Sequence, residues 1–293
     1  MEYLISRFAS AFLAGFIISQ TGSYIQMSTR NILASPSTLG FDGLAILWVL
    51  ILHSILIFLG ADPNSLVLFF SGIPIFIGIG VIYFRFMGTH KNIERLILIG
   101  LTFNLLVGAI FSFWQFLFIA FNKPFPLELW FGHFRFASLE TLFILGVVEL
   151  LLLSGQYYFR REIKLFSLGR NISRNLKLNE AGLYKFFFIG ISLGTFSVIA
   201  LFGAFSFLGL IFPFVARKLW FERFDLKGEL LIGAGVNALL FMLIDVFCYH
   251  FPVYGAEIPI GLIATGLGAV SLIGLLWRSS NSFELLAKSR KSS

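Results

Sequence analysis

Polar side chains inside long apolar runs are the residues of this chain whose chemistry needs an explanation. Gln20, Ser23 and Gln26 form a polar stripe in the first apolar run, and Glu149 and Asp245 are the carboxylates placed deepest in such runs. Polar groups at membrane depth are costly, so they mark a pathway for ions, protons or a substrate by default. The alternative is a buried group bonded to a helix N-terminus or kept neutral, with no role in transport.

Several common patterns of catalysis and metal binding are missing from the sequence. It has no G-x4-G-K-[ST] loop of the kind that cradles ATP phosphates. The four histidines and the single cysteine are scattered, so they do not predict a zinc-like cluster. No Ser, His and Asp stand at a spacing typical of a catalytic triad. We therefore expect no catalytic residue, no metal site and no cofactor, and we do not expect an enzyme.

Membrane-spanning helices are the elements that must hold these polar groups. The chain is 58% hydrophobic and 13% charged, whereas a soluble domain carries about 25% charged residues. A spanning helix needs about 20 apolar residues, and nine apolar runs predict an all-α, polytopic bundle that forms one domain over residues 1–293. The runs are Phe8–Ser28, Phe41–Gly60, Ser65–Phe84, Leu96–Phe121, Ser138–Phe159, Phe186–Leu201, Ala204–Ala216, Glu229–Tyr249 and Ile258–Trp277.

The run Ala204–Ala216 is shorter than a normal span and is interrupted by Gly209 and Pro213. Broken helices at membrane depth are tolerated only where protein or a water-filled cavity surrounds them. Proline removes a backbone donor and glycine permits close approach, so the sequence predicts a bend here. Gly209 and Pro213 are our gating candidates, and the polar stripe supplies the pathway candidates. A static kink needed only for packing is the alternative.

The distribution of positive charge predicts the orientation. If the loop holding Arg30 is cytoplasmic, all but three of the 22 Lys and Arg residues fall on the cytoplasmic side. Cytoplasmic loops retain such residues, so we expect an outside N-terminus, a cytoplasmic C-terminus and an odd number of spans. The three exceptions are Arg7, Lys123 and Arg135. The net charge of +7 belongs to the cytoplasmic rim, and no nucleic-acid partner is expected.

Five motifs, in order along nearly the whole chain, resemble the type II ABC importer permeases. These are the membrane subunits that take up iron–siderophores, haem and vitamin B12. The sequence of the first motif most resembles that of the siderophore-type members. The five are Gly15-x6-Gly22-x3-Gln26-x3-Arg30-Asn31 with Pro36 and Leu39-Gly40, Ser167-Leu-Gly169-x3-Ser173 with Leu176, Phe207-Leu-Gly-Leu-Ile-Phe-Pro213-x3-Arg217, Asp245, and Glu257-Ile-Pro259-Ile-Gly261 with Leu267-Gly268-Ala269.

The chain departs from the family pattern at several positions. Ile32 replaces a proline, Arg170 an acidic residue, Phe214 a histidine and Val270 a proline. The family has about ten spans, and here Met1 lies just before the second. We expect either a genuine nine-span form or a start site that has been placed too late.

The resemblance implies that the chain is the permease of an ATP-driven importer for an iron–siderophore or similar chelate in the bacterial inner membrane. A second permease, identical or paralogous, would complete the pathway, and an extracytoplasmic binding protein would deliver the chelate. A cytoplasmic ABC ATPase dimer would hydrolyse ATP and bind the basic loop Arg160–Lys185. The coupling residues implied by the family element are Ser167, Leu168, Gly169, Ile172, Ser173 and Leu176.

In the family, exposed arginines dock carboxylates of the binding protein, and one of those positions is Tyr249 here. Arg7, Lys123 and Arg135 are therefore our docking candidates. Two other classes compete with this interpretation. A proton-coupled secondary transporter would use the deep carboxylates and would normally show inverted repeats, which the sequence lacks. A non-transporting scaffold would have no need of the polar stripe.

Overall fold

The computed structural model describes residues 2–61, 64–89, 93–123, 125, 128–167, 179–205, 208–219, 226–253 and 256–270. The regular elements in these ranges are helices, as an all-α bundle requires. They are α1 (Glu2–Thr29), α2 (Phe41–Phe58), α3 (Ser65–Thr89), α4 (Ile93–Ala120), α5 (Glu128–Phe131), α6 (Leu139–Tyr158), α7 (Arg160–Ser167), α8 (Glu180–Phe202), α9 (Leu208–Leu219), a π-helix (Leu226–Gly233), α10 (Ala234–His250) and α11 (Ile260–Val270).

Seven helices are long and apolar enough to cross a membrane. The other two predicted spans correspond to shorter apolar helices, Leu208–Arg217 and Ile260–Val270, and the last predicted span is described only as far as Val270. Two helices begin earlier than the apolar pattern predicts, α1 at Glu2 and α8 at Glu180. The apolar pattern misses these starts because polar residues, which the first turn of a helix accommodates, come before each apolar run.

Helix α1 forms the centre of the bundle. Every residue from Ile17 to Thr29 is buried, because α6, α8, α9 and α10 all pack against this helix. A helix that is buried on all sides is normally apolar on all sides. The polar stripe of α1 therefore has to find its hydrogen-bond partners inside the protein.

Small residues bring α3 and α8 into close contact. A Cβ on Gly72 would collide with the ring of Phe196, and a Cβ on Gly80 would lie 2.8 Å from the Cα of Ile189. Close packing drives helix association in lipid, where burial from water contributes little. Gly72 and Gly80 thus allow α3 and α8 to pack closely within the chain.

Several loops meet at the end of the bundle where α1 begins. The backbone N–H of His133 donates to the carbonyl of Phe202 at 2.8 Å, and that of Ala204 donates to Leu129 at 2.9 Å. Gly261, at the start of α11, donates to Gly132 at 3.3 Å. The segment between α5 and α6 is thereby joined to the end of α8 and the start of α11.

Candidate functional site

The polar stripe of α1 is fully buried against neighbouring helices. Gln20, Ser23 and Gln26 have no exposed surface. The amide of Gln20 donates to Glu149 Oε1 of α6 at 2.9 Å, and the amide of Gln26 donates to the carbonyl of Leu210 in α9 at 3.0 Å. In this conformation the stripe connects helices within the chain. A pathway role for it remains a prediction, and it requires α6 or α9 to move away.

An ion pair lies at one end of the stripe. Arg217, at the end of α9, donates from Nη1 to Glu229 Oε1 of the π-helix at 3.2 Å and from Nη2 to the amide oxygen of Gln26. Glu229 is 0% exposed and Arg217 is 6% exposed, and charges that are buried this deeply have to be paired. The Arg217 cluster, defined as Arg217, Glu229 and Gln26, thus joins α1, α9 and the π-helix.

A second cluster lies at the opposite end of α1. Arg7 donates from Nε and Nη2 to the two carboxylate oxygens of Asp245 in α10, both at 2.9 Å, and from Nη1 to Glu257 Oε2 at 2.8 Å. Arg7 and Asp245 are 2% and 1% exposed, and Glu257 is 35% exposed. The ring of Tyr249 lies 4.8 Å from the guanidinium carbon. The Arg7 cluster, defined as Arg7, Asp245 and Glu257, joins α1 to α10 and to the segment before α11.

This arrangement corrects the expectation for Arg7 as a docking residue. A docking cation must be accessible, whereas Arg7 is buried and its charge is held by two carboxylates. Lys123 and Arg135 are exposed and remain candidates. For Asp245, the sequence favours a bond to a helix N-terminus or a neutral form, and the structure instead provides an arginine 238 positions away. The sequence contained one signal for this pair. Arg7 and Asp245 lie near ends of two apolar runs that are predicted to be on the same side of the membrane.

The broken run forms α9, which continues through Pro213. Proline has no N–H to offer the carbonyl of Gly209 one turn earlier. That carbonyl oxygen lies instead directly against Gly22 of α1, where an added Cβ would collide with it. Gly209 in turn packs on Pro36, whose Cδ would lie 2.8 Å from an added Cβ. These contacts account for close packing of α9, and a gating role for Gly209 and Pro213 remains a prediction.

The predicted coupling element falls almost entirely beyond the described structure. Ser167 ends α7, and Leu168, Gly169, Ile172, Ser173 and Leu176 lie outside the described residues. What the structure does describe is the helix before this element. Ile163 and Phe166 of α7 are buried, and the guanidinium of Arg30 lies 5.0 Å from the ring of Phe166.

Two cavities border these elements. One, of about 610 Å³, lies between α9, α10 and α11; it is almost wholly apolar, and Asn237 at its edge donates to Ser19 Oγ at 2.9 Å. The other, of about 260 Å³, adjoins the Arg7 cluster and is lined also by His133 and Arg135. Among the described residues no group of three His, Cys, Asp or Glu side chains could hold a metal ion. The arrangement serves packing and charge pairing between helices.

Comparison with known proteins gives a consistent result. The sequence pattern of the FecCD transport family matches residues 1–278. The chain is 27% identical over 288 residues to the petrobactin import system permease protein FatD of Bacillus anthracis, covering 94% of this chain and 80% of the relative. It is 28% identical over 290 residues to the vitamin B12 import system permease protein BtuC of Vibrio vulnificus, covering 95% and 82%.

A solved structure shares the fold. It is described as an inward-facing conformation of a metal-chelate type ABC transporter, and the superposition has a TM-score of 0.75 over 94% of this chain and 85% of the other. The two sequences are 24% identical, so this likeness supports the architecture alone.

Proposed function

This chain belongs to the FecCD transport family, and from that membership we propose that it imports an iron–siderophore or a similar metal chelate as the permease of an ATP-driven transporter. The observation that carries the proposal is the family match over residues 1–278. The petrobactin permease among its relatives supports the chelate as cargo. Family membership favours this function over a proton-coupled secondary transporter.

Permeases of ABC importers work with ATPase and substrate-binding partners. For this chain we propose two cytoplasmic ATPases, a second permease copy or paralogue, and one extracytoplasmic binding protein. ATP hydrolysis would belong to the ATPase subunits. The seven span-capable helices and the family imply a multi-pass protein of the inner membrane. Within that membrane we propose a cytoplasmic C-terminus, supported by the positions of the Lys and Arg residues.

The proposed mechanism is a two-state rearrangement of packed helices driven by ATP. The ATPases would bind the segment after α7, whose candidates are Ser167, Leu168, Gly169, Ile172, Ser173 and Leu176. Because α7 packs against α8 and the π-helix, a displacement of this segment would reach the Arg217 cluster and α9. Movement of α9 would then uncover the polar stripe of α1.

A substitution at Gly169 tests the coupling element. Gly169→Trp should abolish chelate uptake while the protein still reaches the membrane, because a bulky side chain would block the ATPase contact. Uptake of a ⁵⁵Fe–siderophore and co-purification of the ATPase are the measurements. Gly78→Ala is the control for expression, because nothing lies within 4 Å of its added Cβ. Normal uptake by Gly169→Trp would remove this segment from the proposal.

The energy source provides the test of the function itself. Cells expressing the chain with its ATPase and binding protein should accumulate a ⁵⁵Fe-labelled siderophore in the presence of a protonophore. Depletion of ATP should stop uptake, and so should omission of the ATPase. Uptake that persists without the ATPase but collapses with the protonophore would support the secondary transporter instead.

Docking of the binding protein is proposed for Lys123 and Arg135, since both are exposed at the end of the bundle where α1 begins. Neutralising both should weaken binding of the binding protein, and the weakening should itself diminish as salt is added. Titration of the binding protein onto the purified complex at two salt concentrations measures this.

A further inference from the structure

An exposed stripe runs along α6 and continues into α7. Phe143, Leu150 and Tyr158 are 73%, 64% and 77% exposed. They recur at seven- and eight-residue spacing, so they lie on one face of the helix. Arg161, which follows at the next turn, is also exposed. The stripe is therefore apolar along α6, aromatic at its end and positively charged on α7.

The charged end of this stripe contains more than one cation. Arg160, Arg161 and Lys164 are exposed on α7, and the only acidic residue of that helix is Glu162. The guanidinium of Arg160 lies 4.6 Å from the ring centre of Tyr157. An arginine stacked on an aromatic ring still directs its N–H donors outward in a planar fork, which matches phosphate oxygens.

The aromatic residues define the depth of these charges in the membrane. Tyr157 and Tyr158 end a helix that is long and apolar enough to span, and tyrosine is enriched at the level of the lipid headgroups. Arg160 and Arg161 follow directly, at the level of the phosphates. At the position of Gly146, on the same helix, an added Cβ would meet nothing within 4 Å, which leaves space beside the stripe.

We infer that the end of the α6–α7 stripe from Leu150 to Lys164 is a binding site for an anionic phospholipid. The acyl chains lie along Leu150, which is about 12 Å of helix from Tyr158 and so within one leaflet. The glycerol region lies at Tyr157 and Tyr158, and the phosphate is bound by Arg160 and Arg161. A lipid is favoured over a soluble phosphate because the cations adjoin an exposed apolar face that acyl chains can cover. Basic clusters directly beside a spanning helix attract anionic lipids for this reason.

Lipid retention by the purified permease tests the site. The protein is placed in nanodiscs of phosphatidylglycerol and phosphatidylcholine at equal amounts, washed with neutral detergent, and its retained lipids are counted by mass spectrometry. The wild type should retain phosphatidylglycerol preferentially. Arg160→Gln/Arg161→Gln should lower that preference by at least about tenfold. Arg160→Lys/Arg161→Lys should preserve most of it, and Lys123→Gln/Arg135→Gln, at the other end of the bundle, should match the wild type.

Each other outcome overturns the inference. An unchanged preference in Arg160→Gln/Arg161→Gln would show that these cations do not bind the headgroup. Displacement of the retained lipid by glycerol 1-phosphate at millimolar concentration would identify a phosphate site that needs no acyl chains. If the double variant keeps its lipids but no longer co-purifies with the ATPase in a separate pull-down, the stripe is a protein-docking surface. The lipid measurement itself uses the permease alone, so its failure would leave the proposed transport function untouched. Size-exclusion chromatography identifies a variant that fails to fold, in which case Arg161→Gln alone replaces it.

Discussion

Arg7 and Arg217 are both buried ionic residues of the described bundle, yet their surroundings differ. Arg7 is held by three contacts of 2.8–2.9 Å to two carboxylates. Arg217 reaches Glu229 at a longer distance of 3.2 Å and also contacts the amide of Gln26. The Arg7 cluster places two carboxylates around one guanidinium, whereas in the Arg217 cluster the guanidinium contacts Glu229 and a neutral amide.

Both clusters connect α1 to the same helical stretch, Leu226–His250. Positions 7 and 26 of α1 lie roughly 28 Å apart, given a rise of about 1.5 Å per residue, which approaches the ~30 Å hydrocarbon thickness of a bilayer. The stretch is a regular α-helix at the Arg7 cluster and a π-helix at the Arg217 cluster. Because π-helices are irregular in register and frequent at functional sites, we expect the Arg7 end to stay fixed and the Arg217 end to rearrange, and the variants below test this.

The largest effect should follow from breaking the fixed end. Both carboxylate oxygens of Asp245 accept from Arg7, so Asp245→Asn turns one of them into an amide N–H that faces a guanidinium donor and leaves Glu257 as the remaining carboxylate of the Arg7 cluster. Loss of one partner of a buried pair costs about 3–5 kcal/mol, so we expect a large loss of thermal stability in detergent and poor accumulation in the membrane. Thermal unfolding followed by tryptophan fluorescence measures this.

The matched control is Glu257→Gln in the same cluster. Glu257 is 35% exposed, and its loss leaves the bidentate pair in place, so the effect on stability should be under about 1 kcal/mol. Equal destabilisation by Asp245→Asn and Glu257→Gln would contradict the distinction between a buried bidentate contact and a peripheral one.

A smaller effect is expected at the other end. Glu229→Gln keeps the shape of the side chain and a hydrogen-bond acceptor for Arg217, and Gln26 also remains in contact. Only one oxygen of Glu229 accepts from Arg217, so the amide N–H₂ of Gln need not face a guanidinium donor. The weakened bond should cost about 1.5–3 kcal/mol, less than at Asp245. Chelate uptake should nevertheless fall strongly if this end rearranges. Stability and uptake are compared in the same preparations, and a variant with lost stability but normal uptake per folded molecule would place the moving part elsewhere.

The sequence predicted the helices well and their pairing less well. Long apolar runs predicted the spans, and the shortness of the run Ala204–Ala216 predicted the short helix α9, which continues through Pro213. The Arg7 cluster was missed because charge counting treats each cation as a member of a loop, whereas α1 begins at Glu2 and carries Arg7 into the bundle. The three residues come from positions 7, 245 and 257, and only their packing brings them together. The lone acidic Asp245 predicted a buried carboxylate without identifying its partner.

A substitution at Gly22 tests the packing of α1 against α9 at the Arg217 end, separately from the charge pairing there. In Gly22→Ala the new Cβ would meet the carbonyl oxygen of Gly209 and lie 2.8 Å from Pro213 Cγ. Overpacking of a close contact costs about 1–3 kcal/mol, and α9 should be displaced from α1. Gly78→Ala is the control, because nothing lies within 4 Å of its added Cβ. If the two variants unfold at the same temperature, the contact between α1 and α9 is not tight.

The smallest effect on stability is expected for Pro213→Ala, and this variant separates a moving helix from a static one. Alanine restores an N–H that can bond to the carbonyl of Gly209, a gain of about 1 kcal/mol. The same change removes ring contacts at Gly22 and draws that carbonyl back into α9, so the two contributions nearly cancel.

If α9 moves when ATP binds, a regular helix should resist the movement, and uptake and ATPase stimulation should fall together while assembly persists. If uptake stays normal, Pro213 only shapes the contact with α1, and the movement has to be assigned to the π-helix. Failure to assemble would instead show that the kink is required for folding, and the gating role of Pro213 would be withdrawn.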